Sequence, residues 1–360
     1  MSPSIGGIEK LVLDLARHHA SDPMIETGIF FIQPFRGDLK ESYLQSGVVI
    51  HSAGLVSGYD FNPLGLMRSW KIFRTYDVIH IHCFNVFVAM MAVLARRKII
   101  YTEHGNYVLG REPRVADKIN RLLQRYFLNR HVSCITFNSQ HTKIGATRIY
   151  GLEGVESTVV YNGVPICDIP EKWQSVDPDI RGRLEGRFVV GTSSRFAAFK
   201  RIDRLIDAFS RFLPGRDAVL LLVGDGPLCE QFKELVDSYD MADAVVFSGF
   251  QTSVRAYQNV MHVCVFPSES EPFGLVSIEA YSLGKPVIVF GDGGGLVEIV
   301  SNLCADDVVK DVDALVKRME YYYNNRKKNT ESDTNKRIEY AKKYDISIMA
   351  DRFREIYIKN

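Results

Sequence analysis

The six thiols, Cys83, Cys134, Cys167, Cys229, Cys264 and Cys304, are scattered and form no Cys-x-x-Cys pair. That spacing argues against a disulfide framework or a zinc ribbon. Most of them fall in or beside apolar runs that read as core strands, so reduced, buried thiols of a cytosolic protein explain them best. A long apolar run is also lacking. The longest, 86–95, is about half the length a membrane-spanning helix needs, and no secretory signal is recognisable. Neither sign of charge dominates: 44 Lys and Arg face 43 Asp and Glu, a net charge of +1. General affinity for nucleic acid therefore does not follow, and only local patches can matter. Low-complexity runs are absent, as are repeats beyond two similar halves.

What is present is an alternation of short apolar strands with amphipathic helices over 360 residues, enough for two domains. In the first half, strands are predicted at 25–32, 48–50, 78–82, 98–102, 132–138 and 158–161. Helices are predicted at 8–20, 37–45, 64–76, 86–95, 115–129 and 141–150. A polar, irregular segment at 167–186 reads as the linker. A second series follows, with strands at 188–192, 219–223, 245–248, 263–266 and 287–290. Its helices are at 202–212, 228–238, 254–259, 274–283 and 312–324, and the tail from 331 to 360 is charged, then helical. Such alternation implies parallel sheets covered on both faces. Ligands of such sheets sit beyond the carboxyl ends of the strands.

The stretch 268–288, SESEPFGLVSIEAYSLGKPVI, organises the rest. Glu271 and Glu279 stand eight apart. Pro272 suits a first helical position, which would leave the amides of Phe273, Gly274 and Leu275 without intrahelical partners. A helix start of that kind attracts anions and sugar oxygens, and Gly274 admits close approach. Glu279 then shares a face with the helix start, among apolar neighbours where a carboxylate needs a hydrogen-bond partner. The plain alternative is a capping Glu271 and a solvated Glu279. Upstream, Arg195 and Lys200 lie on a loop that leads from a strand into a helix, so both cations can reach one anion. Gly224-Asp225-Gly226 and Gly293-Gly294-Gly295 follow later strands and read either as turns or as ligand loops.

Together these elements resemble glycosyltransferase family 4, retaining enzymes of the GT-B fold. Glu271, Glu279 and the intervening Pro-Phe-Gly carry the likeness, with Arg195-x4-Lys200 and Gly294-Gly295-x-x-Glu298 beside them. The resemblance implies an α/β, GT-B architecture of two Rossmann-like domains facing a central cleft. Their boundaries are expected at 1–166 for the acceptor side and 167–345 for nucleotide-sugar binding. The last helix, 346–360, is expected to cross back to the first domain.

The resemblance also implies roles. Glu279 binds the donor ribose, and Glu271 holds sugar hydroxyls with the Phe273, Gly274 and Leu275 amides. Arg195 and Lys200 stabilise the departing diphosphate, while Gly249 and Phe250 contact the base. Gly6 and Gly7 bring amides to the diphosphate, and His104 stands against the sugar. Arg201 departs from the pattern, which often has Gly there. His80 and His82 alternate within a strand and are not assigned, whereas Asn138 and Ser139 end a strand on the acceptor side. Asp177-x-Asp179 imitates a metal pair but lies in the linker. No metal or cofactor is expected, the nucleotide-sugar being a substrate.

The function so implied is transfer of a hexose from a nucleotide-diphosphate donor to a surface glycan or lipid-linked acceptor. The work would be cytoplasmic, in cell-envelope polysaccharide synthesis. The basic stretch Arg111, Arg114, Lys118, Arg121 and Arg125 is either a solvated face or a contact to the inner face of the membrane. A non-hydrolysing sugar-nucleotide 2-epimerase and a non-catalytic partner subunit are the alternatives on this fold. A hydride-transfer enzyme is disfavoured because no Gly-x-Gly-x-x-Gly follows an N-terminal strand. The sequence opens directly in the Gly6-Gly7 loop, where the family usually has an apolar strand first. That predicts an upstream strand outside the sequence, a gap between the 25–32 and 78–82 strands, and a mobile loop.

Overall fold

Parallel strands joined by helical crossovers build the computed structural model, which describes residues 7–34, 40–55, 60, 62–105, 115–152, 154–166, 175–326 and 331–359. Two compact units result, Met1–Pro165 with Asp345–Asn360, and Ile166–Tyr344.

The first unit opens with α1 (Gly7–Ala20), β1 (Gly28–Phe31), α2 (Lys40–Leu44), β2 (Val49–Ser52), α3 (Pro63–Phe73) and β3 (Val78–Ile81). It continues with α4 (Val86–Ala95), β4 (Lys98–Glu103), α5 (Val115–His131), β5 (Cys134–Phe137), α6 (Gln140–Tyr150) and β6 (Ser157–Val159). Helix starts are chemically marked. Asn62 and Asn85 each accept hydrogen bonds from the free amides of α3 and α4, and Ser139 caps α6. Among the described residues β1 pairs with β2, β3 to β6 form a separate parallel set, and β1 and β3 are not paired. Side chains bridge the interruption, since Phe30 of β1 packs edge-on against Phe73 of α3.

In the second unit come α7 (Pro178–Leu184), β7 (Phe188–Ser193), α8 (Ile202–Phe212), β8 (Ala218–Val223), α9 (Cys229–Ser238), β9 (Val245–Gly249) and α10 (Val254–Val260). Then follow β10 (Val263–Phe266), α11 (Leu275–Ser282), β11 (Val287–Phe290), α12 (Gly295–Ser301), β12 (Val308–Val309), α13 (Val312–Asn324) and α14 (Glu331–Lys342). Their strands form one parallel sheet in the order β12-β11-β10-β7-β8-β9. Strands β7, β8, β10 and β11 are buried along their whole length, the near-continuous apolar reading expected of strands covered on both faces. On α8, Ile202, Leu205, Ile206, Phe209 and Phe212 recur at helical spacing and are completely buried.

Three assignments change. The segment read as an irregular linker contains α7, because Asp177 and Pro178 occupy the N-cap and first helical position. Asp177 and Asp179 are exposed, and Asp177 spends Oδ1 on the amides of Asp179 and Ile180. The elements α12 and β12 were not predicted. The chain returns to the first unit through α15 (Ile346–Ile358), where Ile346 donates its amide to the Val164 carbonyl at 3.0 Å. Gly163 is needed at this crossing, since a Cβ there would lie 2.7 Å from the Ile346 Cα. Met349, Ala350 and Phe353 of α15 then bury against Leu11 and Leu15 of α1.

Candidate active site

The strand order of the second unit reverses between β7 and β10, which is where an open α/β sheet leaves a crevice beyond its carboxyl ends. Two loops leave that point. The first runs from Ser194 to Lys200 and carries Arg195; the second follows β10 and carries Glu271. Lys200 Nζ meets Glu271 Oε2 at 2.5 Å, with side chains only 12% and 17% exposed. The two residues assigned from sequence to diphosphate and to sugar hydroxyls are thus one ion pair. Arg195 is exposed and has no ion-pair partner among the described residues.

Backbone bonds hold Glu271 in place. Glu269 donates its amide to Phe199 O at 2.8 Å, Ser270 to Asp292 O at 2.8 Å, and Gly295 donates to Glu271 O at 2.7 Å. Ser270 takes a left-handed conformation, φ 53°, strain of a kind that persists where surroundings over-determine it. The triple glycine follows from this contact: a Cβ on Gly294 would lie 2.5 Å from Glu271 O, and one on Gly295 2.4 Å from Pro272 O. Two of its amides, those of Gly293 and Gly295, are already used inside the protein, so the loop shapes the Glu271 segment more than it offers donors to phosphate.

The helix after Glu271 starts later than the sequence suggests. Pro272 is not its first residue; α11 begins at Leu275, with Gly274 as a left-handed N-cap at φ 97°. The reason is steric, because Gly274 packs where any Cβ would lie 2.2 Å from the Leu296 side chain. Phe273 and Gly274 are buried, Leu275 is half-buried, and Glu279 stands half-buried one turn into α11.

A glycine turn supports the Arg195 loop. Phe196 donates to Asp225 O at 2.9 Å and Leu228 to Phe196 O at 3.1 Å, while a Cβ on Gly226 would lie 2.6 Å from Phe196 O. Arg201 occupies the left-handed region, φ 48°, which explains why glycine suits that position. Its guanidinium is held by Asp203 and Glu269. Gly249 has φ 67° with open space above it, and Phe250 beside it is 58% exposed.

In the first unit, Gly7 begins α1, and Gly6 lies outside the described residues. His104, just past β4, is buried. Its Nε2 is 3.0 Å from His82 Nδ1, and its Nδ1 has no hydrogen-bond partner. His82 was passed over; the available signal was its i, i+2 spacing from His80, which puts both rings on one side of β3. His80 is spent structurally, on Tyr357 of α15 at 2.7 Å and on Thr102 at 2.6 Å. Burial lowers all three imidazoles, His104 to about 4, His80 to about 3 with further repulsion from His104 and His19, and His82 well below its ordinary value. They are neutral near pH 7. Asn138 is buried at the end of β5 with Oδ1 unpartnered, whereas the Ser139 hydroxyl accepts the Thr142 amide as a cap. Of the basic stretch, Arg111 and Arg114 lie outside the described residues, and Lys118, Arg121 and Arg125 are exposed on α5.

Known proteins agree with this architecture. The family described as Glycosyltransferase Family 4 matches residues 5–166, and the one described as Glycosyl transferases group 1 matches 175–344. N-acetyl-alpha-D-glucosaminyl L-malate synthase of Bacillus anthracis is 27% identical over 67% of this chain and 66% of its own. The chain spans 60% and 57% of two other curated relatives. O-antigen chain mannosyltransferase C of Escherichia coli is 24% identical over 98% of this chain and 94% of its own. Among solved structures, Anabaena HepE in complex with UDP superposes with a TM-score of 0.75 at 21% identity, covering 99% of this chain and 96% of that one. By these matches and by its sheet topology, the chain belongs to the GT4-type glycosyltransferases and has the GT-B fold.

Proposed function

We propose that the protein transfers a hexose, with retention and without a metal ion, from a nucleotide-diphosphate donor to a glycan or lipid-linked acceptor. The observation that carries this reading is the Lys200–Glu271 pair at the β7/β10 reversal, with the unpaired Arg195 on the same loop. A diphosphate arriving there meets two cations on one loop, and Glu271 is released toward sugar hydroxyls as Lys200 turns to phosphate. These cations supply the charge that a divalent ion supplies elsewhere. Exposed Phe250 suits the face of a base, and the acceptor falls to the first unit, where His104 is assigned to the donor sugar. The test is a panel of nucleotide sugars, first for stabilisation of the protein, then for transfer to added acceptors in the presence of chelator. Interconversion of the donor without transfer would make the protein an epimerase. Activity lost in chelator and restored by Mg²⁺ would remove the metal-free part of the reading.

Glu279 is assigned to the ribose. Glu279→Ala is expected to weaken binding of the free nucleotide by about 1.5–3 kcal/mol, the worth of a hydrogen bond to a charged group. Calorimetric titration with UDP measures this, and unchanged affinity counts against the assignment.

For the setting we propose peripheral attachment to the cytoplasmic face of a membrane. No described helix is long and apolar enough to cross one. Helices α3 to α6 lie side by side and carry Arg68, Lys71, Lys118, Arg121, Arg125, Arg130, Lys143 and Arg148 against one carboxylate, Asp117. On α5, Leu122 and Tyr126 are 64% and 61% exposed between these cations, the pattern of a helix lying in a bilayer interface. The protein should sediment with vesicles containing phosphatidylglycerol and not with pure phosphatidylcholine. Replacing Arg121 and Arg125 by Ala should cost about 2 kcal/mol of that binding. Equal binding to both vesicles, or to neither, overturns it.

A further inference from the structure

Three cations crowd the amino end of α8: Lys200 and Arg201 just before it and Arg204 in its first turn. The helix dipole disfavours positive charge there. Each cation is matched by a carboxylate from the loops after β10 and β11: Lys200 by Glu271, Arg201 by Glu269 and Arg204 by Asp292. Arg204 makes the two-pronged contact. Its Nη1 donates to Asp292 Oδ1 at 2.9 Å and its Nη2 lies 2.8 Å from Oδ2, stronger and more directional than a single charge contact. Its Cζ also stands 4.9 Å from the centre of the Phe290 ring. The backbone of Asp292 carries this contact to the site, because its carbonyl accepts the Ser270 amide at 2.8 Å, beside Glu271. Ser270 is left-handed, φ 53°, so its conformation persists only while neighbours hold it.

We infer that Arg204, acting through Asp292, is a positioning residue that keeps Glu271 in place while a donor occupies the site. The inference rests on the proposed transferase reading. In the free protein Glu271 has a side-chain anchor of its own, Lys200. A diphosphate that draws Lys200 away removes that anchor. The segment is then fixed by Ser270 on the Asp292 carbonyl, by Gly295 on the Glu271 carbonyl, and by Arg201 on Glu269. Asp292 lies on the loop between β11 and α12, and Arg204 supplies its side-chain tie to α8. That helix is a firm support, since Ile202, Leu205, Ile206 and Phe209 pack into the core of the unit. Arg204 therefore matters most with ligand bound, the reverse of a residue that only stabilises the fold.

Two measurements on the full chain test it. The first is amide hydrogen exchange at Ser270. In ligand-free Arg204→Ala it should quicken about threefold, the worth of an exposed ion pair. With saturating UDP, which carries the diphosphate, it should quicken about tenfold or more, the worth of hydrogen bonds to a charged group. Equal acceleration with and without UDP overturns the inference, and wild-type exchange in the ligand-free variant refutes the tie whatever the activity. The second is kinetic, with UDP-glucose as the donor probe. Arg204→Ala and Asp292→Ala, which keeps the carbonyl, should each lower kcat/KM about tenfold. The double variant should be no slower, because residues acting through one contact do not add. UDP affinity should stay near wild type, since the nucleotide without its sugar makes no use of Glu271. Losses that multiply in the double variant, or UDP affinity that falls as far as kcat/KM, would refute the positioning role. A wild type that neither binds UDP nor transfers from any nucleotide sugar would instead refute the transferase reading.

Discussion

Lys200→Ala is expected to reduce transfer by roughly 10²–10³, the usual loss when a preorganised group facing developing charge is removed. The protein should still fold. The Lys200–Glu271 pair is largely buried, at 12% and 17% exposure, so stranding the Glu271 carboxylate should also lower the melting temperature, at a cost of up to about 3–5 kcal/mol. Two mechanisms could lower the rate, and a double substitution separates them. If the loss came only from stranding the Glu271 carboxylate without its partner, the double variant with Glu271→Gln would be as active as Glu271→Gln alone. If Lys200 acts on the departing diphosphate, the double variant is much slower than Glu271→Gln alone. Lys200→Arg should be intermediate, since it keeps the charge but replaces a point donor with a planar fork. Steady-state kinetics and a melting curve on these variants decide it. Near-normal kinetics in Lys200→Ala would remove the phosphate assignment.

The strands and helices were legible because their apolar periods are clean. Those of α8 and the buried runs of β8 and β10 admit no second reading. Failures occurred where composition and local geometry disagree. The polar surroundings of α7 hid an Asp-Pro helix start, and the run of three glycines that leads into α12 read as a loop. The cations and carboxylates of the site were visible one by one, but their pairing was not. Lys200 and Glu271 are 71 residues apart, and only the strand order brings their loops together. Likewise nothing local says that the glycines near Glu271 exist to let two backbones approach. The histidines show the reverse error: strand alternation made His82 look structural, yet it holds the ring that was assigned.

Gly224→Ala is expected to be far more damaging than the same change at Gly249, although both residues have positive φ. At Gly249, φ 67°, nothing lies within 4 Å of the added Cβ. Only the left-handed conformation is penalised, at about 1 kcal/mol, so Tm should fall by about 2–4 °C for a unit of this size. At Gly224, φ is 134° and the Cβ would lie 1.9 Å from the Ser194 carbonyl oxygen. That oxygen is backbone and cannot rotate away. Its loop is tied on both sides, by Ser194 N to Val223 O at 3.0 Å and by Phe196 N to Asp225 O at 2.9 Å. Gly224 itself donates to Gly249 O at 3.0 Å. Strain at the dihedral, about 1–3 kcal/mol, adds to overpacking of similar size. A total near 4 kcal/mol lowers Tm by about 10 °C. The shift that relieves the clash must move Ser194, and Arg195 moves with it, so turnover should fall even below the melting transition. Circular dichroism melts of both variants, with transfer rates measured well below Tm, provide the check. Equal melting temperatures for the two variants, or wild-type turnover in Gly224→Ala, would mean that the glycine turn does not hold the Arg195 loop.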